Sequence, residues 1–137
     1  MSLDVDVLEH SFNQLKPNAA EFASSFYNTL FADYPDAQAL FIRTDMATQQ
    51  RMLLNALVFV VENLRNPDVL SKQLQDLGAR HAGYGALPDH YPLVGMTLIK
   101  TMKSYLGDQW TPQVEQAWLD GYEAIAQLML KGTDADR

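Results

Sequence analysis

Apolar residues recur along the chain at intervals of three and four, the spacing of one face of an α-helix. Leu8, Phe12 and Leu15 mark a first helix. Pro17 opens a second, at a position where a missing N–H does no harm. Its stripe is Ala19, Phe22, Ala23, Phe26, Tyr27, Leu30 and Phe31, and Pro35 ends it by restricting the residue before it. Pro35 to Arg43 reads as a short connecting stretch carrying Leu40 and Phe41. Thr44 or Asp45 caps a longer helix with Leu53, Leu57, Val60, Val61 and Leu64 on one side. Asn66-Pro67 is a second stop-and-start signal, with Asn66 as cap. Leu70, Leu74, Leu77, His81 and Tyr84 follow at helical spacing until Gly83, Gly85, Pro88 and Pro92 break the pattern. Val94, Leu98, Met102 and Tyr105 form the next face, ended at Gly107. Thr111-Pro112 restarts the chain, and Val114, Trp118, Tyr122, Ile125 and Met129 carry a last helix that stops near Gly132. No stretch sustains the period-two alternation of a strand, and no repeat or linker interrupts the order. The pattern predicts an all-α fold of about six main helices. Heptads are not sustained, which disfavours a coiled coil.

Composition narrows the picture. The 137 residues fit one domain, 1–137, whereas two average domains need roughly 200 to 300 residues. Ten Lys and Arg against seventeen Asp and Glu give a net charge of −7, which argues against nucleic acid as a partner because phosphate binding needs clustered positive charge. There is no cysteine, so disulfides, cysteine nucleophiles and thiolate metal sites are excluded. The N-terminus has neither the basic head nor the apolar run of a signal peptide. The longest unbroken apolar run, Ala56 to Val61, falls far short of the roughly 20 residues of a membrane span. The expectation is a soluble, cytoplasmic protein with no membrane partner.

Few residues can carry chemistry. Of the three histidines, His10 lies two residues from both Leu8 and Phe12, about 200° round the helix, and so faces solvent. His90 sits in a proline-bounded loop before Tyr91-Pro92. His81 instead occupies the apolar stripe, four residues after Leu77 and three before Tyr84. On spacing alone it reads first as a core histidine with a hydrogen-bond partner. One histidine cannot make a zinc site, but a lone histidine can hold an iron whose other ligands come from a porphyrin. Gln49, four residues before Leu53, shares that helix's buried side, or reaches solvent as helix-end glutamines commonly do. Tyr27 lies in an apolar stripe, where a buried hydroxyl needs a partner, a backbone carbonyl in the ordinary case. Asp33, Asp36, Asp89 and Asp120 suit a solvated face better than an acid–base pair. Gly78, Gly83 and Gly85 follow no strand and form no phosphate loop, and no nucleophile elbow is present.

Together these residues carry a resemblance. Phe26-Tyr27 with Leu30-Phe31, Leu40-Phe41, and Gln49 with Leu53 come first in chain order. Leu77-Gly78-Ala79-Arg80-His81, Tyr84-Gly85 and His90-Tyr91-Pro92-Leu93-Val94-Gly95 follow, then Trp110-Thr111-Pro112 and Ala117-Trp118. From about Val7 to Leu130 the chain resembles the bacterial single-domain globins, and among them the haem domain of the flavohaemoglobins.

The resemblance implies a globin fold around haem b (iron protoporphyrin IX). It makes His81 the proximal iron ligand, Phe41 the phenylalanine against the porphyrin, Tyr27 and Gln49 the distal tyrosine and glutamine, and Leu53 the apolar residue narrowing the ligand side. Tyr91 matches a tyrosine near the proximal histidine. Leu77, Val94 and Leu98 line the pocket, and Arg80 reaches a haem propionate, with Arg43 and Arg51 as rivals. The implied activity is reversible binding of O2, NO and CO, with Tyr27 and Gln49 as two donors slowing O2 release. An alternative role for Tyr27 or Gln49 is to approach ferric iron directly. The alternative activity is a nitric oxide dioxygenase served by a separate reductase, since six helices leave no room for a flavin domain. A haem-free helical interaction module is the third reading. One departure stands out: Thr133 occupies the position of a glutamate that bonds the proximal pair in flavohaemoglobins, with Asp134 and Asp136 nearby. A less imidazolate-like histidine and a low iron–histidine stretching frequency are the expected consequence.

Overall fold

The computed structural model describes residues 3–83 and 88–135, with the side chains of 133–135 outside that description. The expectations attached to Tyr84, Gly85 and Asp136, and to the side chains of Thr133 and Asp134, therefore lie outside the described residues. Six α-helices follow in order, and no strand occurs among the described residues: α1 (Val5–Leu15), α2 (Ala19–Asp33), α3 (Met46–Glu62), α4 (Pro67–Gly83), α5 (His90–Leu106) and α6 (Pro112–Ala135).

Most boundaries fall where the sequence puts them, for local reasons. Asp45 caps α3: its carboxylate accepts from the Ala47 N–H at 3.2 Å and the Thr48 hydroxyl at 2.8 Å. Asn66 stands at the head of α4, its carbonyl accepting from the Leu70 N–H at 3.0 Å. Thr111 caps α6 by accepting from the Val114 N–H at 3.2 Å. Gly107 ends α5 with φ of +53°, a conformation that favours a residue without Cβ.

Four boundaries differ. Pro17 lies in a 3-10 turn, Lys16–Asn18, and α2 starts two residues later. Pro35–Phe41, read as a connection, is itself a 3-10 helix of seven residues. His90 opens α5 instead of sitting in a loop, and Pro92 falls within the first helical turn, where its missing N–H leaves no partner unmet. The last helix runs on to Ala135, because Gly132 is buried against α4 and ends nothing.

Two apolar clusters make the core. The larger joins α1, α2, α3, α5 and α6 through Leu8, Phe12, Phe22, Phe26, Leu57, Leu98, Met102 and Trp118. Its polar tie is buried: Trp118 Nε1 donates to Ser11 Oγ at 2.8 Å, while Ser11 donates to the Val7 carbonyl. The smaller cluster holds α4 through Leu70 and Leu74, packed with Val60, Tyr91 and Met129. Helix α3 leans on α2, whereas α4, its successor in the chain, packs chiefly on α6. Neighbours in sequence thus diverge in space, and His81 and Gln49 lie on helices with different partners.

Candidate functional site

Helix α2, the 3-10 helix and α3 bring an aromatic group together. Tyr27, 4% exposed, meets Phe26 edge-on at 4.9 Å between ring centroids and Phe41 edge-on at 5.6 Å. Phe31 lies 5.5 Å from Phe41 and 6.0 Å from Tyr27. Leu53, Val94 and Leu98 belong to the same cluster, Leu98 buried and the other two half-buried. Into this apolar setting α3 sends one polar group. Gln49 Nε2 donates to the Tyr27 hydroxyl oxygen at 3.0 Å. The tyrosine's partner is therefore a side-chain amide, not a backbone carbonyl, and Gln49 is half-buried rather than solvent-directed. Burial raises the Tyr27 pKa, and the Gln49 bond opposes this only partly. The phenol stays protonated at neutral pH. Because Gln49 supplies a proton to the phenol oxygen, the phenol's own proton is left to point elsewhere.

A second group forms around His81, half-buried on α4. Its Nδ1 lies 2.9 Å from the Leu77 carbonyl oxygen, one turn back. A carbonyl only accepts, so Nδ1 carries a proton in this contact. Leu77 packs in the smaller cluster with the buried Tyr91. The Tyr91 carbonyl accepts from the Tyr122 hydroxyl at 2.7 Å. Burial pushes the Tyr122 pKa well above the usual tyrosine range, and the neighbouring Tyr91 adds to it.

The sequence-predicted residues thus fall into two groups: Tyr27, Phe41, Gln49, Leu53, Val94 and Leu98 in one, Leu77, His81 and Tyr91 in the other. Arg80, Arg43 and Arg51 are exposed, and Arg51 donates to Thr48 at 3.2 Å. His10 is exposed as expected and lies 3.3 Å from the Gln14 amide. Periodicity and motifs give Tyr122, Gly78, Gly95 and Gly132 no role in this region, yet all four pack there. A Cβ on Gly95 would enter the Tyr122 ring, and Cβ atoms on Gly78 and Gly132 would meet the backbone of the facing helix. The available signal was glycine within a helix, which costs about 1 kcal/mol against alanine and so implies a packing reason.

Among the described residues no group of three or more His, Cys, Asp or Glu side chains could hold a metal ion. Any iron must bring its other ligands with it, as haem does. The residues fit that group: an imidazole whose Nδ1 bonds a backbone carbonyl, half-buried apolar side chains on α3, α4 and α5, and a protonated phenol among aromatic rings.

The model of the globin family matches residues 24–129, and the chain belongs to that family. Family membership brings haem as the cofactor. The chain is 28% identical over 128 residues to the flavohaemoprotein of Bacillus subtilis, covering 92% of this chain and 32% of that one. It spans about a third of the length of the curated relatives it matches. A bacterial globin from Campylobacter jejuni superposes with a TM-score of 0.83 at 22% identity, covering 96% of this chain and 94% of that one, and so shares the fold. An engineered carbene transferase made from a Rhodothermus marinus nitric oxide dioxygenase candidate gives a TM-score of 0.85 at 26% identity, covering 96% and 91%. No helix among the described residues is long and apolar enough to cross a membrane.

Proposed function

We propose that this globin binds O2 reversibly, and NO and CO likewise, as a single domain over residues 1–137 with His81 as the iron ligand. The observation that carries the reading is the hydrogen bond from Gln49 Nε2 to the Tyr27 oxygen. Haem, when bound, supplies the iron at which a diatomic ligand is held. The group is haem b, since a chain without cysteine offers no thioether attachment. Tyr27 donates its proton to the ligand from an apolar surrounding, where a hydrogen bond is stronger than in water. Gln49 acts through Tyr27, fixing the phenol's orientation. Phe41 and Leu53 keep water from the donor, and Val94, Leu98, Leu77 and Tyr91 supply apolar surface. Arg80, exposed one residue before His81, suits a propionate.

The Leu77 carbonyl is a neutral partner for His81 Nδ1, which favours a neutral imidazole and a low iron–histidine stretching frequency. Spectra of the ferric, ferrous and oxygenated forms test the reading as a whole. A ferrous protein with a Soret band that binds O2 reversibly supports it. Absence of a Soret band returns the chain to a haem-free helical module. A ferric spectrum with a phenolate or amide ligand would mean that Tyr27 or Gln49 approaches the iron directly.

A second reading has an observation behind it. The likeness to flavohaemoproteins and to the Rhodothermus marinus protein favours nitric oxide dioxygenase activity. That reaction would consume NO and O2 and would need electrons from a reductase. NO consumption under O2, with and without an added reductase, separates the two readings.

A further inference from the structure

Helix α4 carries His81, yet its hold on the rest of the fold runs chiefly through α6. At that contact the two helices meet backbone to backbone. Gly78 of α4 lies against Met129 of α6, and Gly132 of α6 lies against Gln75 of α4. Both pairs span the same three-residue step, 75 with 78 and 129 with 132, in antiparallel order. Each glycine thus sits opposite a main-chain carbonyl of the other helix. A Cβ at either position would overlap the facing carbonyl oxygen, its carbon and the adjoining Cα. Backbone cannot swing aside as a side chain can, so one whole helix would have to move.

His81 lies three residues beyond Gly78, about 60° round the helix from it. Gly78 also directly follows Leu77, whose carbonyl fixes the imidazole tautomer. Helix α6 also grips α5 at a glycine: the Tyr122 ring fills the space a Gly95 side chain would need, and its hydroxyl bonds to the Tyr91 carbonyl. One helix therefore holds both α4 and the start of α5, each where a side chain is missing. Gly83 on the same α4 meets nothing within 4 Å. Glycine on this helix is thus not uniformly a packing device.

We propose that Gly78 and Gly132 are positioning residues for the proximal histidine: their contact sets how far α4 stands from α6, and with it how far the His81 ring reaches toward the iron. This rests on the reading of His81 as the iron ligand. A bulkier residue at either glycine displaces α4 and so changes the length and tilt of the iron–histidine bond. The effect reaches the iron only through the covalent tether of the imidazole to α4.

The test uses the haem-loaded protein and two readouts: the iron–histidine stretching band of the ferrous form, and the rate of haem loss to an acceptor protein. Gly78→Ala and Gly132→Ala should each shift the band and speed haem loss by roughly tenfold or more, as changes behind a metal ligand do. Gly83→Ala should do neither. Trp118→Phe, which removes the buried bond to Ser11, should lower Tm without moving the band. In a His81→Gly background, with free imidazole as the iron ligand, both glycine substitutions should leave the iron–imidazole band unmoved. Unchanged bands and haem loss in both alanine variants overturn the proposal, as does a shift that persists with free imidazole. A variant that stays helical but fails to retain haem counts for the proposal. Loss of helicity in both counts against it, since the contact would then be a general folding element. Survival of the original iron–histidine band in His81→Gly would instead overturn the reading of His81, whatever the glycines do.

Discussion

The two sides of the site are built by opposite means. Around Tyr27 the contacts are between side chains: four aromatic rings pack edge-on or tilted against one another, and an amide from α3 reaches a phenol on α2. Around His81 the contacts run through the main chain. Its ring bonds a carbonyl of its own helix, that helix lies on the backbone of α6, and Tyr122 bonds a carbonyl of α5. A side chain can be exchanged without moving the chain that bears it, so the polar group on the Tyr27 side is adjustable. A backbone contact can change only by moving a helix, so the His81 side is fixed as a unit. Side-chain identity defines the first region and backbone packing the second.

Substitutions can break this contrast, taken from the largest expected effect down. His81→Ala should weaken haem retention beyond the roughly 10- to 100-fold that changes behind a metal ligand produce, measured by haem transfer to an acceptor protein. Tyr27→Phe should remove a hydrogen bond to a ligand bearing partial charge, worth about 1.5–3 kcal/mol, which is roughly 10- to 100-fold faster O2 dissociation in stopped flow. Its iron–histidine band should stay in place; a shifted band would show that the two regions are not separable. Gln49→Leu should cost less, about 1 kcal/mol or roughly fivefold in the same rate, because the donor itself survives. An effect equal to that of Tyr27→Phe would mean that Gln49 contacts the ligand itself.

Stability effects are smaller and lie outside the contrast. Trp118→Phe should cost about 1 kcal/mol in chemical denaturation by losing the donor to Ser11. Alkaline pH should loosen the His81 side through Tyr122. Its pKa, like those of Tyr91 and Tyr27, is raised by burial above the ordinary value of 10.0. Above pH 10 the unfolded chain gives up these protons first, so the folded state binds more of them. The contribution is fully present below pH 10 and is lost as pH rises through the raised folded values. Denaturation midpoints across that range should fall less steeply for Tyr122→Phe.

Local signals carried much of the fold. Asp45 and Thr111 announce helix starts because a cap needs only a polar side-chain atom next to its own backbone, and Asn66 does so by standing before Pro67, the first residue of α4. Leu8, Phe12, Phe22, Phe26, Trp118 and Met102 announce the core because burial follows the helical period. Pro92 and Gly132 misled for one reason: each looks like a break when read alone. Pro92 costs nothing in a first turn, and Gly132 serves a neighbouring helix the local sequence does not reveal. In the candidate site, the isolation of His81 in an apolar stripe was legible, as was the oddity of Tyr27 and Gln49. Their pairing at 3.0 Å was not, since 22 residues separate them and only the packing of α2 on α3 brings them together.

The sequence by itself determined six helices, where most of them begin, which faces they bury, and which residue types are at hand for one iron and one small ligand. The tertiary structure alone decided that α4 turns from α3 to α6, and that Gln49 donates to Tyr27. It also decided that Gly78 and Gly132 lie against the backbone of a facing helix and Gly95 against the Tyr122 ring. The division has a physical cause. Caps and periodicity are interactions within a turn or two of chain, whereas a close backbone approach is defined by side chains that are absent and by a partner far along the sequence.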